Sequence, residues 1–334
     1  MMGRLPFCWI PQNCSSQIRR RNDDIGTWSP LVRKSSCIHM RHAIIGPGGV
    51  GGLIAASLAK SGDAVTLVVR SEAIHQYPDT LELDSPFGQF RVEVDRATTV
   101  PAVDVLWIAV KATQLEQALA SLGDGDSAGA FVPLLNGIDH VAMLRSRYGS
   151  GRVVPATIRV ESERIAPGRI LHRSPFAQLN VSSIGRALME STLENLQRLG
   201  FTCQFVDDEQ TLLWSKLVFL APLALAMTAA NKTRGEIAAD VSWEQQLELC
   251  FREACAVARA EGARVDADAV ISSIKNLPGN TRSSVQKDVE RGNVPELDAV
   301  AGPILRAALR HGLDVPVTRR LVAEVERRAK LEGV

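Results

Sequence analysis

A glycine-rich run near the amino terminus has the spacing of a dinucleotide-binding turn. The run fits G-x-G-x-x-G over six consecutive positions, which are Gly46, Pro47, Gly48, Gly49, Val50 and Gly51. In such a turn the first glycine permits a tight bend, the second lets a pyrophosphate approach the backbone, and the third lets helix and strand pack closely. The helix that follows directs free N–H groups and the positive end of its dipole at the phosphate. The run therefore predicts nucleotide binding rather than a merely structural turn.

The residue that ends the next strand bears on which nucleotide is bound. Units that bind NAD place Asp or Glu there to hold the ribose 2′-hydroxyl, whereas a 2′-phosphate requires a cation. This chain has Arg70, followed by Ser71, and a guanidinium is a planar fork suited to phosphate. We therefore predict NADP(H) over NAD(H), with a solvated surface arginine as the alternative.

Two polar residues follow apolar runs that are typical of buried strands. Lys111 follows the run 104–110, and Asn136 follows the run 130–135. Ligands of open parallel sheets bind outside the carboxyl ends of the strands, so both residues are expected where cofactor and substrate bind. Without the glycine motif, Lys111 and Asn136 would be interpreted as ordinary turn residues.

Lys216 begins the apolar part of a helix predicted over 209–230. A lysine there either extends to solvent or lies at the floor of a cleft, where desolvation lowers its pKa toward the working range of a general acid. The apolar part is too short to span a bilayer and contains Pro222, so it predicts a buried core helix and not a membrane segment.

These candidate residues need elements to position them. The segment 42–70 predicts a strand, the glycine turn, a helix over about 50–61 and a second parallel strand. The run 81–94 predicts a hairpin, and from Asp208 onward the periodicity is helical, with a capping box at Ser242 and a last helix that begins at Pro316. The fold class is therefore an α/β Rossmann amino-terminal domain, residues 40–206, followed by an all-α carboxyl-terminal domain, residues 207–334.

Residues 1–39 differ in composition from the rest of the chain. They carry scattered arginines and no apolar period, which is typical of a disordered extension upstream of a chain that begins naturally at Met40. An organelle targeting segment is the alternative, although Asp23 and Asp24 argue against it, and this part is excluded from the fold prediction. We expect a cytoplasmic protein, with organelle targeting by residues 1–39 as the other possibility.

Overall charge and cysteine content narrow the class of protein. The 38 basic and 37 acidic residues leave a net charge of +1, which favours neither a nucleic-acid partner nor a membrane partner. The six cysteines form no C-x-x-C pair and no cluster with metal-ligand spacing, so we predict a reduced compartment and no metal site. The oligomeric state is open between monomer and homodimer.

The segment 41–330 resembles the ketopantoate reductase (2-dehydropantoate 2-reductase) family. The motifs that carry the resemblance are IIGPGGVGG, AVKATQ around Lys111, LLNG with Asn136, LWSKL with Lys216, and the long segment from SSVQKD through ELDAVAGP to HGLDVP, which contains Glu296. The resemblance implies a Rossmann domain joined to a helical domain like that of 6-phosphogluconate dehydrogenase. It also implies NADPH-dependent reduction of a small-molecule 2-oxo acid, with 2-dehydropantoate as the expected substrate, in pantothenate and coenzyme A biosynthesis.

The resemblance also implies roles for individual residues. Lys216 is implied to be the proton donor and Glu296 to orient it beside the nicotinamide. Ser284 falls at the family's position for the substrate carboxylate, with Ser283 as a neighbouring candidate. The resemblance further implies contacts of Asn136 and Lys111 with cofactor and substrate, and phosphate selection by Arg70.

The chain departs from the family at two positions. The family has asparagines four and eight residues after the catalytic lysine, and this chain has Leu220 and Ala224 there. Pro222 is expected to kink the helix, so that Asn231 or Thr228 takes over the contact with substrate. The alternatives to reduction of 2-dehydropantoate are a reductase of a less polar oxo acid or ketone, and a regulatory protein that binds NADPH without turnover.

Overall fold

A computed structural model describes residues 40–122, 125 and 127–331. The strands are β1 Arg41–Ile45, β2 Ala64–Val68, β3 Thr80–Ser85, β4 Gly88–Glu93, β5 Asp95–Ala97, β6 Val103–Ile108, β7 Ala128–Pro133, β8 Ala156–Arg159, β9 Ser162–Ala166, β10 Arg169–His172, β11 Gln178–Ser182 and β12 Thr202–Val206. The helices are α1 Gly49–Lys60, α2 Leu115–Leu119, α3 Asp139–Tyr148, α4 Arg186–Arg198, α5 Glu209–Ala230, α6 Arg234–Ala238, α7 Val241–Ala260, α8 Ala267–Ile274, α9 Ser284–Glu290, α10 Leu297–His311 and α11 Pro316–Leu331. The prediction for residues 1–39 lies outside the described part of the chain.

A parallel sheet with the strand order β5-β2-β1-β6-β7 forms the centre of the amino-terminal half. Its middle strands are continuous apolar runs because both faces of the sheet are covered, and Trp107 on β6 is fully buried. The chain leaves β1 toward β2 on one side and returns to β6 on the other. A ligand crevice is therefore expected outside the carboxyl ends of β1 and β6.

Two smaller sheets complete this half. One has the order β4-β3-β10-β9, and the other has the order β12-β11-β8. The strands β3 and β4 form the hairpin that the sequence predicted. Ser162 at the start of β9 donates a hydrogen bond to the carbonyl of Gly49 at 2.9 Å, so the β9–β10 hairpin lies against the beginning of α1.

The helical half is built around α5, which contacts α7, α9, α10 and α11. Asp208 caps α5 by accepting a hydrogen bond from the Thr211 N–H at 3.0 Å, and Asn231 ends the helix in a left-handed conformation with φ 53°. The helix is long and apolar enough to span a membrane by composition, but 72% of its most apolar window is buried inside the protein. The prediction of a buried core helix is confirmed.

The structure confirms a Rossmann-type sheet domain followed by a helical domain, and it corrects one local prediction. Helix α5 continues through Pro222, where the Val218 carbonyl loses its intrahelical partner because proline has no N–H. The capping box at Ser242 is wrong because Asp240 precedes the helix and caps it, accepting from the Ser242 and Trp243 N–H groups. A capping box does form one helix earlier, at Thr233.

Candidate active site

The glycine turn between β1 and α1 has the shape of a phosphate cradle. Gly46 has φ 82°, and a Cβ there would lie 2.9 Å from the Ala109 backbone. A Cβ on Gly51 would lie 2.3 Å from the Gly46 carbonyl oxygen, whereas the space around Gly48 is open, with no neighbouring atom closer than 4.0 Å. No side chain caps α1 and its first turn carries no acidic residue. These residues fit a dinucleotide pyrophosphate, which would accept hydrogen bonds from the free N–H groups.

Side chains from other elements hold this turn in place. The Tyr77 hydroxyl donates a hydrogen bond to the Pro47 carbonyl at 3.2 Å, and Tyr77 is itself buried. Arg164 on β9 donates to the Tyr77 hydroxyl and lies over its ring. The turn is therefore fixed before any ligand binds, which reduces the ordering cost of binding.

Arg70 lies immediately after β2, as predicted, and its side chain is exposed. Its Nε lies 3.4 Å from Glu72 Oε1, and both side chains are about two-thirds exposed at 68% and 66%. An exposed pair of this kind contributes little to stability. The guanidinium is therefore available for a phosphate at the carboxyl end of β2.

Lys216 on α5 reaches across to the Rossmann domain. Its ammonium donates a hydrogen bond to the carbonyl of Leu135, the residue before Asn136, at 3.3 Å. Burial and the neighbouring positive charge of Arg159 lower the pKa of Lys216 from 10.5 to about 8, while the Glu296 carboxylate acts in the opposite direction. Lys216 therefore lies at the floor of the cleft and does not extend to solvent.

Glu296, from the helical domain, lies close enough to Lys216 to influence its charge. It is buried, at 8% exposure, and precedes α10. Its Oε1 accepts a hydrogen bond from the Ala112 N–H at 2.6 Å, and its Oε2 accepts one from the Asn136 amide at 3.4 Å. The structure thus brings Lys216, Asn136 and Glu296 together at the carboxyl ends of β6 and β7.

Lys111 also lies at the end of β6, but its partner is a carboxylate of the helical domain. Its ammonium is 2.8 Å and 2.9 Å from the two carboxylate oxygens of Asp288 on α9. A second ion pair, between Lys287 and Glu161 at 2.9 Å, links the same helix to the Rossmann domain. The helix α9 therefore closes one side of the cleft.

The two serines at the start of α9 differ in environment. Ser283 is the cap of the helix, accepts a hydrogen bond from the Gln286 N–H at 3.0 Å and lies 3.4 Å from the Thr228 hydroxyl. Ser284 is the first helical residue and is exposed. Of the two, Ser284 has the hydroxyl that is open to a ligand.

Two site residues have no motif in the sequence to mark them. Arg159 ends β8 and donates a hydrogen bond to the Ser215 carbonyl at 3.0 Å, next to Lys216. His140 on α3 is buried at 6% exposure, and its Nε2 has no hydrogen-bond partner among the described residues. Burial and the charge of Lys216 lower the pKa of His140 to about 3, so the imidazole is neutral near pH 7.

Comparisons with known proteins identify the family of this chain. The family model described as ketopantoate reductase PanE/ApbA matches residues 42–185, and the model of its carboxyl-terminal domain matches residues 208–329. The chain belongs to the ketopantoate reductase family. It is an oxidoreductase, and its relatives support the reduction of an oxo acid with a nucleotide cofactor.

The relatives of this protein align with most of its chain. A 2-dehydropantoate 2-reductase of Caulobacter vibrioides is 31% identical over 290 residues, which are 84% of this chain and 96% of the relative. The crystal structure of a PanE/ApbA family ketopantoate reductase from Ralstonia eutropha JMP134 superposes with TM-score 0.78 at 24% identity, covering 88% of this chain and all of that one. A D-mandelate dehydrogenase with NADH and anilino(oxo)acetate superposes with TM-score 0.79 at 19% identity over 88% of this chain and all of that one, which shows the shared fold.

The two positions where asparagines were expected, Leu220 and Ala224, differ in burial. Leu220 is partly buried one turn after Lys216, whereas Ala224 is fully buried in the helical core and presents no surface to a ligand. Asn231 does not replace them, because it ends α5 about 22 Å along the helix axis from Lys216 and is exposed. Thr228 is buried and lies 3.4 Å from the Ser283 hydroxyl.

Proposed function

We propose that this protein reduces a 2-oxo acid with NADPH, and that 2-dehydropantoate, which would give pantoate, is the first substrate to test. The observation that carries the proposal is that Lys216 donates to the Leu135 carbonyl, next to Asn136, while the Asn136 amide donates to Glu296 at the same strand ends. Carbonyl reduction needs an acid near the carbonyl oxygen, and Lys216 supplies one, with an amide and a buried carboxylate nearby.

The cofactor residues proposed are Gly46 to Gly51 for the pyrophosphate and Arg70 for a 2′-phosphate. NADPH, when bound, supplies the hydride. A guanidinium binds a dianionic phosphate with charge-assisted hydrogen bonds, and exposed Arg70 is paired only weakly with Glu72. We propose a preference for NADPH over NADH on this ground, together with contacts of Lys111 and Asn136 with cofactor or substrate.

Lys216 is proposed as the proton donor. In the reduction the substrate's C2 carbonyl carbon gains a hydride, the carbon–oxygen π pair becomes an O–H bond, and the proton comes from the Lys216 ammonium. The amine left behind is reprotonated from solvent. A lysine with pKa of about 8 is a stronger acid than a free lysine and is still mostly protonated at pH 7.

Glu296 is proposed to position Lys216 and to keep it charged. Its carboxylate is fixed by the Ala112 N–H and the Asn136 amide, so it stays aligned while the cleft is occupied. It raises the pKa of Lys216 against the effect of burial. Asn136, with a further amide N–H to donate, is proposed to contact the substrate oxygen, and Ser284 to contact the substrate from the edge of α9.

A less polar 2-oxo acid is the second candidate substrate. Leu220 lies one turn from Lys216 on the same helix face, where the family has an amide, and an apolar side chain there offers no hydrogen bond to a substrate hydroxyl. The D-mandelate dehydrogenase of the same fold was crystallised with anilino(oxo)acetate, an aromatic oxo acid. Both points favour including 2-oxo acids with apolar groups in any substrate panel.

The test is NADPH oxidation by the full chain with 2-dehydropantoate and with a panel of other 2-oxo acids. The variant Lys216→Ala is compared with Lys232→Ala, a lysine of the same domain that pairs with Asp240 at 2.5 Å beyond the end of α5. We expect turnover in the parent and in Lys232→Ala, and its loss in Lys216→Ala. Tight NADPH binding without turnover across the panel would instead support a regulatory protein and overturn the proposal.

A further inference from the structure

We propose that Arg159 binds the carboxylate of the substrate and selects 2-oxo acids over neutral ketones. This inference deepens the proposed function and rests on it. The family has amide side chains at the positions of Leu220 and Ala224. In this chain we infer that the Arg159 guanidinium, which belongs to a different element of the fold, binds the substrate instead.

The position of Arg159 is set by α5, the helix that carries Lys216. Its Nη2 donates to the Ser215 carbonyl at 3.0 Å, and its guanidinium carbon lies 5.2 Å from the centroid of the Phe219 ring. Ser215 and Phe219 are one turn apart, so the guanidinium lies along a row of the helix surface adjacent to the row of Lys216 and Leu220. The two cationic groups therefore share one corner of the cleft.

The charges of Arg159, Lys216 and Glu296 influence one another in this corner. The charge of Arg159 disfavours protonation of Lys216, while Glu296 favours it. Burial also lowers the pKa of Arg159 to about 10, which still leaves the guanidinium charged near pH 7. Burial of a cation costs free energy, and an anion that binds beside Lys216 and Arg159 reduces this cost.

The chemistry of a 2-oxo acid matches the arrangement. Its carboxylate is bonded directly to the carbonyl carbon, so a group that binds the carboxylate must lie beside the group that protonates the carbonyl oxygen. Lys216 meets the oxygen and Arg159 meets the carboxylate. A guanidinium is suited to this role because it presents parallel N–H donors to both carboxylate oxygens.

The remaining part of the substrate is then directed toward apolar side chains. Phe219 and Leu220 are both partly buried and pack against the hydrophobic core of the helical domain. An apolar group at C3 of the oxo acid is expected to pack there with no loss of hydrogen bonds. The inferred substrate class is a 2-oxo monocarboxylic acid with a branched or aromatic apolar group.

The test compares an acid with a neutral molecule of nearly the same shape. Rates of NADPH oxidation are measured with 3,3-dimethyl-2-oxobutanoate and with its primary amide, for the parent and Arg159→Gln. Because charged hydrogen bonds contribute more than neutral ones, we expect KM for the acid to rise about 10- to 100-fold and KM for the amide to change by less than about threefold. Equal losses for acid and amide would overturn the proposal.

Arg152→Gln is the matched control. Arg152 also donates to backbone carbonyls, including that of Gly125 at 2.6 Å, and also lies 5.2 Å from an aromatic ring, that of Phe131. It contacts the amino end of β7, at the opposite edge of the sheet from the cleft. We expect Arg152→Gln to keep the parent's preference for the acid, and a loss of that preference in this variant would contradict a specific role of Arg159.

Arg159→Lys separates the effect of the positive charge from the effect of the paired hydrogen-bond donors. A lysine retains the positive charge but not the paired donors, so KM for the acid is expected to rise about 3- to 10-fold, less than in Arg159→Gln. This variant also keeps the proposal testable where the glutamine variant does not fold. A lysine variant as impaired toward the acid as toward the amide would argue against carboxylate binding.

Calorimetric titration distinguishes failure of this inference from failure of the proposed function. The acid is titrated into the protein with and without NADP⁺, conditions in which no reduction takes place. Binding that depends on Arg159, in a protein without turnover, would support the carboxylate site and exclude the reductase. Turnover with equal acid binding in parent and Arg159→Gln would support the reductase and exclude the carboxylate site.

Discussion

The pH dependence of the reduction tests how Glu296 controls Lys216. In the proposed mechanism the protonated form of Lys216 is the acid, so activity is expected below its pKa and is expected to be lost as pH rises through that value. With the pKa at about 8, kcat/KM is expected to be level near pH 7 and to fall about tenfold per pH unit above pH 9. The profile is measured from initial rates of NADPH oxidation at saturating NADPH and low 2-oxo acid.

Glu296→Gln removes a carboxylate that raises the pKa of Lys216. An opposite charge within a few ångströms shifts a pKa by about 1–3 units. Because burial and Arg159 outweigh Glu296 here, we assign Glu296 the lower end of this range, a shift in the pKa of Lys216 of about one unit, or about 1.4 kcal/mol. The pKa of Lys216 then falls to about 7. The resulting loss of protonated lysine is about fivefold at pH 8 and nearly nothing at pH 6.

The control is Glu244→Gln, which removes a carboxylate of the same domain that pairs with Arg234 at 2.7 Å and 2.8 Å. We expect its alkaline limb to stay at about pH 8, as in the parent. Two results would refute the reasoning about both residues. One is a parent kcat/KM that stays constant up to about pH 10, and the other is a Glu296→Gln variant whose kcat/KM begins to fall at the same pH as in the parent.

Three further changes have expected outcomes. Lys216→Met should raise the free energy of unfolding at pH 7 by at most about 3 kcal/mol, because a pKa lowered from 10.5 to about 8 means that protonated Lys216 is less favourable in the folded state than in the unfolded state. This cost is fully present below about pH 8 and is lost as pH rises toward 10.5; urea unfolding measures it, and a loss of stability would contradict the burial argument. Gly51→Ala places a Cβ 2.3 Å from the Gly46 carbonyl oxygen, so fluorescence titration should give an affinity for NADPH at least about tenfold weaker, whereas unchanged binding would exclude this turn as the phosphate site. Arg70→Ala should weaken binding of NADPH by about 10- to 100-fold and of NADH by less than about twofold; equal effects would remove Arg70 from phosphate selection.

The elements that depend on local sequence could be predicted well. The helix α5 begins at Glu209 and ends at Ala230, as predicted from its sequence. The parallel β1–α1–β2 unit also follows from local signals, because strand, glycine turn and helix are contiguous. By contrast, the capping-box spacing that begins at Ser242 predicts the wrong cap. Asp240, two residues earlier, accepts the hydrogen bonds from the first N–H groups of this helix.

The contacts of the site could not be predicted because they join distant parts of the chain. Glu296 looks like an ordinary carboxylate at the start of a helix, yet its side chain binds the Ala112 N–H, 184 residues away. Arg159 ends a strand like many surface arginines, and only the packing of β8 against α5 brings it to Ser215. The sequence favours Asn231 because Pro222 is expected to kink the helix, but Asn231 ends α5, about 22 Å from Lys216 along the helix axis.

The most direct test of the central claim is chemical rescue of Lys216→Ala. Reduction of the best 2-oxo acid is followed in the presence of a series of small primary amines, with cofactor and substrate binding measured in parallel. If Lys216 donates the proton, the rate rises with the concentration of the protonated amine, and the alkaline limb follows the pKa of the added amine. A variant that binds NADPH and the acid normally and is not rescued by any amine, or that retains the parent's rate, would contradict the account.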